Sequence, residues 1–254
     1  DDPVYVQYGR FVGGLLTGDL GTSVFSRRPV TTEIAERFPR TLVLASVSLL
    51  IATIVGVSAG IVSATRRNSV FDNASMFIAL VGVAAPVFWM ALMLQLLFSV
   101  TLRWLPATGM GGIEHLVLPS ITLGMASAAL MARITRSSML DVLKQDFITT
   151  ARAKGLAERV VVYKHALKNA LIPVVTVLGL QFGILLGGAV LTETVFAWPG
   201  VGRLLVDAIL RRDYPVVQGT VMLLAFLFVI INLVVDVIYA FLDPRIHYQG
   251  GESE

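Results

Sequence analysis

Basic side chains are concentrated in one short segment, residues 146–173, which reads DFITTARAKGLAERVVVYKHALKNALIP. Its basic residues include Arg152, Lys154, Arg159, Lys164 and Lys168. Guanidinium and ammonium groups pair with carboxylates and phosphates, so the segment is suited to bind an acidic partner or anionic lipid. A basic loop between apolar stretches also serves simply to fix membrane topology, and charge alone favours that plainer explanation.

The pattern within this segment indicates more than topology. It predicts a short helix over 147–154, a break at Gly155 and a second helix over 157–169. Small side chains at Ala151, Ala153 and Gly155 would offer a bare surface that another protein can approach closely. A helix–glycine–helix arrangement that is attached directly to two apolar stretches could transmit a conformational change from a cytoplasmic partner to the membrane helices.

Acidic residues near apolar stretches are the next candidates, because a charge in hydrocarbon is costly and often functional. Glu193 follows the fourth apolar stretch, where it lines an outer gate, meets the ammonium group of a peptide, or simply emerges into the headgroups. We expect Asp236 to pair with a basic residue of a neighbouring helix. Asp243, which precedes Pro244, is interpreted as a helix stop.

Polar amides inside the apolar stretches have two interpretations. Gln95, Gln181 and Asn232 either line a pathway, for which Gln181 and Asn232 are the candidates, or hydrogen-bond between helices, which is commoner. No HExxH, GxSxG or CxxC motif occurs, the histidines lack metal-ligand spacing, and the sequence contains no cysteine. The sequence therefore predicts no catalytic, cofactor or metal site, and its basic loop lacks a nucleic-acid fingerprint.

The elements that position these residues are apolar helices. Of the 254 residues, 56% are hydrophobic and 15% are charged, well short of the roughly 25% charge that is typical of soluble domains. Five stretches contain no Asp, Glu, Lys or Arg: 41–64, 74–102, 116–132, 169–192 and 214–235. A membrane-spanning helix needs about 20 apolar residues, so we predict an all-α polytopic bundle with five membrane helices. The third can extend to Leu140 if Arg133 and Arg136 snorkel towards the headgroups.

Charge asymmetry gives the expected orientation. Eight basic residues lie between Arg133 and Lys168, which predicts that loop 133–168 and the C-terminus are cytoplasmic and that residues 1–40 lie outside. Residues 1–38 are interpreted as an extracytoplasmic interfacial segment, 39–243 as the membrane domain and 244–254 as a cytoplasmic tail. Residues 199–213 predict a short amphipathic helix on the outer face. An additional helix upstream of residue 1 would complete this topology.

Several short motifs resemble one family of membrane proteins. The run TARAKGL at 150–156, followed by HALKNALIP at 165–173, is similar to the cytoplasmic docking loop of ABC importer permeases of the dipeptide, oligopeptide and nickel class. GDLG at 18–21, RPV at 28–30, TETVF at 192–196, PGVGRLLVDA at 199–208 and LDPR at 242–245 also resemble that class. The resemblance covers essentially the whole chain.

This resemblance implies a type I importer permease fold in the inner membrane of a prokaryote. The loop 141–168 would contain a coupling helix whose residues contact an ATPase subunit, namely Ala151, Arg152, Ala153, Lys154, Gly155 and Leu156. The implied partners are a second homologous permease, two cytoplasmic ATPases, an extracytoplasmic solute-binding protein and membrane lipid. ATP and magnesium would be bound by the ATPases, because this sequence has no GxxxxGK[ST] phosphate-binding loop.

The implied function is import of short peptides or a similar small solute by alternating access. Two other classes remain open from the residues alone. An ion-gradient-driven transporter or channel would work without ATP or partners, and a membrane scaffold would move no solute at all.

Overall fold

The computed structural model describes residues 3–242, in which helices joined by short segments make up most of the backbone. The described residues contain no β-strand, only an isolated antiparallel bridge between Thr22 and Pro29. This confirms the all-α class. The helices are α1 (Val4–Thr17), α2 (Val30–Thr65), α3 (Val70–Ala84), α4 (Val87–Leu94), α5 (Glu114–Val142), α6 (Asp146–Ala153), α7 (Glu158–Val160), α8 (Leu167–Val195), α9 (Val201–Arg211) and α10 (Tyr214–Leu242).

Four helical segments within the described residues are long and apolar enough to cross a membrane. They are Val30–Thr65, Glu114–Val142, Glu158–Gly187 and Tyr214–Val237. At 1.5 Å per residue, α2 is about 54 Å long, well beyond the roughly 30 Å hydrocarbon core, and its charged first turns therefore extend past the apolar part.

The second predicted span differs from the structure. Residues 74–102 were expected to form one helix, whereas α3 ends at Ala84 and α4 begins at Val87, so this region qualifies only as a bent pair. The prediction of a continuous helix is therefore wrong. Pro86 lacks an amide hydrogen and pushes the preceding residue out of the helical region, and Ala85 accordingly has φ −73° and ψ 129°.

The predicted loop helix over 157–169 is not a separate element. The short α7, a π-helical stretch at Val161–Ala166 and α8 follow one another without a break. The second half of the basic segment is therefore the beginning of the spanning segment Glu158–Gly187. We call this segment the fourth span, because it contains most of the fourth apolar stretch of the sequence. By contrast, the predicted helices over 147–154 and 199–213 are confirmed as α6 and α9.

The described residues divide into two compact units, and the long helices contribute residues to both. The first unit comprises residues 3–48, 86–123 and 184–228, and the second comprises 49–85, 124–183 and 229–242. In the first, Val30, Ile34, Ala208 and Val216 form one apolar cluster, and Ala91, Leu118 and Phe196 form another.

A buried carboxylate holds the segment before α2 in the first unit. Ser23 Oγ donates to Asp213 Oδ2 at 2.5 Å, and the Val24 amide donates to Oδ1 at 3.2 Å. Burial alone disfavours the charged carboxylate, but these bonds and further amide donors outweigh it and lower the pKa of Asp213. The residue just before α10 thus fixes the segment that precedes α2.

Candidate functional site

The candidate docking segment, residues 146–156, lies in the second unit. Its helix α6 begins after Gln145, which has an extended backbone, and Asp146 in the first turn complements the helix dipole. The helix ends at Ala153, and the turn that stops it contains Gly155, which has φ +76° and whose amide donates to the carbonyl of Arg152 at 2.9 Å. Only residues that tolerate the left-handed region can end a helix in this way, which explains the glycine.

The two faces of α6 differ in exposure. Ile148 is fully buried and Ala151 is 6% exposed, whereas residues 152–156 are all exposed. Ala151 was predicted to belong to the bare docking surface, but its side chain points into the core. Of the six residues predicted to contact an ATPase, five are therefore exposed, namely Arg152, Ala153, Lys154, Gly155 and Leu156.

The buried face of α6 packs against the ends of three long helices. We call this group of side chains the α6 core cluster. It consists of Ile61 and Ala64 from α2, Met139 and Val142 from α5, Ile148 and Ala151 from α6, and Val161, Val162, Ala166 and Ala170 from the start of the fourth span. A displacement of α6 therefore acts directly on these helix ends, because close-packed side chains transmit strain.

The positive charges of the basic segment, residues 146–173, are not equivalent. Arg152 donates from Nε and Nη2 to the Glu158 carboxylate at 3.1 and 2.6 Å, and this two-point contact closes the turn between α6 and α7. Lys154, Arg159, Lys164 and Lys168 are exposed and make no ion pair with another described residue. They are the charges that remain available to an acidic partner surface.

Glu193 lies in the first unit and is fully buried, so the expectation that it emerges into the headgroups is wrong. Its carboxylate accepts from Thr41 Oγ1 at 2.7 Å and from the Arg203 amide at 3.0 Å, with a further bond from the Gly202 amide. The amides belong to the N-terminus of α9, where unpaired donors favour a carboxylate. Glu193 thus caps α9 and is not exposed to meet a solute.

The glycines around Glu193 are required by this close approach. A Cβ atom on Gly202 would lie 2.6 Å from Val190 Cα, and one on Gly200 would overlap the Glu193 carboxylate. Trp198 Nε1 also donates to the Arg40 carbonyl at 3.1 Å, which fixes the turn between α8 and α9 to α2. The TETVF and PGVGR motifs therefore form one structural unit that connects the end of α8 to α9 and α2.

Comparison with known proteins assigns the chain to a family. Residues 56–248 match the family described as "binding-protein-dependent transport system inner membrane component". The chain is 50% identical to the dipeptide transport system permease protein of Alkalihalophilus pseudofirmus, over 98% of this chain and 83% of that protein. It is 52% identical to the glutathione transport system permease protein of Escherichia coli O6:H1, over 98% of this chain and 81% of that protein.

The chain belongs to the binding-protein-dependent transport system inner membrane component family. The permease is thus a multi-pass inner-membrane protein and a component of a transport system rather than an enzyme, and its family implies an ATPase and a binding protein as partners. Among solved structures, the inward-facing methionine ABC transporter shares its fold, with a TM-score of 0.69 at 20% identity over 83% of this chain and 96% of that chain. An amino acid ABC transporter solved with histidines gives a TM-score of 0.61 at 13% identity over 85% of this chain and 95% of that chain.

The other candidate residues of the permease are dispersed. Gln181 is buried and its Nε2 donates to Ser127 Oγ at 2.9 Å, so it connects α8 to α5. Gln95 donates to the carbonyls of Ala107 and Val195 at 2.8 and 3.3 Å, also a bond between elements. Asn232 is partly exposed on α10.

The predicted partner of Asp236 is not found. Asp236 is exposed and makes no ion pair with any residue in the described range 3–242. Asp243 and the tail from 244 to 254 lie outside the described residues.

One polar cluster was missed by reasoning from the sequence. Arg136, expected to snorkel towards headgroups, instead donates two hydrogen bonds to Asp72, which is buried at the start of α3. The two residues are 64 positions apart, so no local pattern joins them. The available signal was a capping sequence, Ser69 followed three residues later by an acid, which places Asp72 in the first turn of a helix.

Proposed function

We propose that this permease imports short peptides or a similarly small solute, with energy supplied by separate ATPase subunits that act through α6. The names of two relatives at about half identity specify dipeptide and glutathione, which are both short peptides. Family membership does not favour the ion-gradient alternative, because this family works with a binding protein.

The observation that carries the proposal is that one side of the α6 region is buried and the other is exposed. Residues 152–156 face outward, while Ile148 and Ala151 lie in the α6 core cluster with the ends of α2, α5 and the fourth span. When a partner bound to the exposed side shifts α6, the buried side chains displace the ends of the three helices that pack against them. This arrangement suits a helix that a conformational change in another protein displaces.

The proposed assembly follows from charge and family together. Loop 133–168 and the C-terminus face the cytoplasm, where two ATPases bind ATP and magnesium and contact residues 152–156. Residues 1–40 lie outside, where segment 1–38 and α9 form the surface that receives solute from the binding protein. A second homologous permease completes the pathway, and lipid surrounds both.

Transport then proceeds by alternating access. Closure of the ATPases on ATP shifts α6 and the helix ends that pack on it, and the pathway opens outward to accept solute. Glu193 stabilises α9 from within, and Gln181 and Asn232 remain candidates for the pathway.

Gly155 allows a direct test, because its backbone conformation can be disturbed without a steric clash. Apart from its two chain neighbours, no described residue has a heavy atom within 4 Å of a Cβ placed there, but its φ of +76° is unfavourable for most side chains. Gly155→Val should therefore disturb the turn after α6, because a residue with a Cβ pays roughly 1–2 kcal/mol in the left-handed region. Gly155→Asn is the matched control, since asparagine tolerates this region.

The measurement is co-purification of the ATPase subunits with the tagged permease, together with ATP-dependent dipeptide uptake by the reconstituted transporter. We expect Gly155→Val to lower both by roughly 5- to 30-fold, the range that 1–2 kcal/mol produces, while Gly155→Asn stays near the parent. Equal retention of ATPase and uptake by the two variants would contradict the role of α6.

A further inference from the structure

Asp72 is a buried charge whose hydrogen bonds come from three different segments of the second unit. Its side chain is 3% exposed. Arg136 on α5 donates from Nε and Nη2 at 2.8 Å each, and the Asn68 amide donates at 2.9 Å. Ser63 Oγ on α2 donates to Oδ1. The carboxylate thus joins the C-terminal part of α2, the start of α3 and α5.

The position of Asp72 is fixed by the local sequence as well. Ser69 is the N-cap of α3, and its hydroxyl accepts from the Asp72 amide at 3.2 Å. A capped first turn holds the backbone of Asp72 in place, and the two-point arginine contact then fixes the orientation of α5. A single hydrogen bond, such as a lysine ammonium makes, would let the two side chains rotate relative to each other. The two parallel bonds from the planar guanidinium of Arg136 restrict that rotation.

Helices α2 and α5 are also in close contact next to this ion pair. A Cβ on Gly56 would lie 2.5 Å from Met131 Cβ, and a Cβ on Gly60 would lie 2.5 Å from Thr135 Cβ. Glycines four residues apart permit such a crossing, since the helix backbones meet without side chains between them. The ion pair therefore adds a polar connection beside a contact that is already tight.

The same helix ends bear the α6 core cluster. Ser63 lies between Ile61 and Ala64, both buried in that cluster, and Arg136 lies three residues before Met139, also buried there. The Asp72–Arg136 pair is thus within one helical turn of the side chains that receive the motion of α6.

We infer that Asp72 and Arg136 are positioning residues for transport, which join α3 and the adjoining ends of α2 and α5 into one rigid body that moves with α6. This inference rests on the proposed function of α6. Without the pair, α6 could shift its immediate neighbours while α2, α3 and α5 slide past one another. ATP would then be hydrolysed with less solute moved.

The test is the amount of dipeptide transported per ATP hydrolysed by the complete transporter in proteoliposomes. The variants are Asp72→Asn, Arg136→Met and the double variant, and Arg133→Met, an exposed arginine on the same helix, is the control. The double variant is essential, because removing one partner leaves an uncompensated buried charge, whereas removing both does not.

We expect all three variants of the pair to retain the ATPase subunits and to hydrolyse ATP. The dipeptide-to-ATP ratio should fall about tenfold, equivalent to about 1.4 kcal/mol of lost coupling, and stay at the parent value for Arg133→Met. A double variant with a restored ratio would contradict the inference, since only the unpaired charge would then matter. A double variant that cannot assemble would contradict it too, since the pair would then serve folding.

Failure of the proposed function can be distinguished from failure of this inference. If the proposed function is wrong, the parent chain itself will lack bound ATPase subunits or ATP-dependent uptake.

A second measurement tests directly whether α2 and α5 move together as one rigid body. The sequence has no cysteine, so Val62→Cys on α2 and Ser137→Cys on α5 provide two unique sites for spin labels at exposed positions. We expect the label-to-label distance to be the same with and without trapped ATP when the pair is intact, and to change between these states in the Asp72→Asn/Arg136→Met background. A nucleotide-dependent distance in the parent background would overturn the inference.

Discussion

At the scale of single residues, Glu193 shows how a charge beside a membrane helix serves structure. Three donors surround its carboxylate, and one of them, Thr41 Oγ1, also accepts from the Val201 amide at 2.9 Å. The bonds connect α2, the end of α8 and the start of α9. A buried carboxylate with every contact supplied by the protein has no exposed oxygen to offer a solute.

Replacement of Glu193 should therefore affect stability first. Glu193→Ala leaves buried donors unsatisfied at a cost of about 1–3 kcal/mol each, whereas Glu193→Gln keeps one acceptor and should be milder. The midpoint of thermal unfolding in detergent measures this, and each kcal/mol corresponds to about 2–4 °C for a chain of this size.

Asp207→Asn is the matched control, because Asp207 is half exposed on α9 and its oxygen lies 3.9 Å from Arg203. A surface pair of this kind contributes little, so the midpoint should not move. Normal thermal stability of Glu193→Ala combined with lost uptake would favour a gate over the structural role.

At the scale of elements, glycines determine which helices approach closely. Gly56 in α2 has no room for a methyl group beside Met131 and Ala128 of α5. A Cβ on Gly187 in α8, by contrast, would meet no atom of the described residues within 4 Å outside its own helical turn. Both are helical, so both substitutions by alanine remove the same conformational cost of glycine. Only the contact with a neighbouring helix differs.

The two alanine substitutions should consequently act in opposite directions. Gly187→Ala should stabilise the chain by about 0.5–1 kcal/mol through helix propensity. Gly56→Ala should destabilise it by about 1–3 kcal/mol, because overpacking forces the backbone to shift. Thermal midpoints of the two variants under identical conditions provide the measurement. A rise for both would show that α2 and α5 separate easily.

At the scale of the whole molecule, properties set by composition and local pattern could be predicted. Charge-free stretches indicated the apolar helices, and Gly155 indicated the end of α6, because both depend on residues close in sequence. The break at Pro86 was also local, but membrane helices often tolerate proline, so the sequence did not decide between a kink and a break.

What could not be predicted depends on contacts between distant residues. The partner of Arg136 is 64 residues away, and the partner of Glu193, Thr41, is 152 residues away. The burial of Ala151 likewise depends on the α6 core cluster, whose members come from four segments of the chain. A single sequence shows which residues are polar but not which of them meet.

The central claim is that α6 contacts an ATPase at the cytoplasmic surface, and one engineered cysteine tests it most directly. Lys154→Cys places a unique thiol on the exposed side of the segment in a chain without other cysteines. We expect a short cross-linker on this thiol to capture the ATPase subunit in the assembled transporter. A membrane-impermeant reagent added outside intact cells should leave the thiol unmodified. Modification from outside, or cross-linking to no ATPase in the complete complex, would contradict the account.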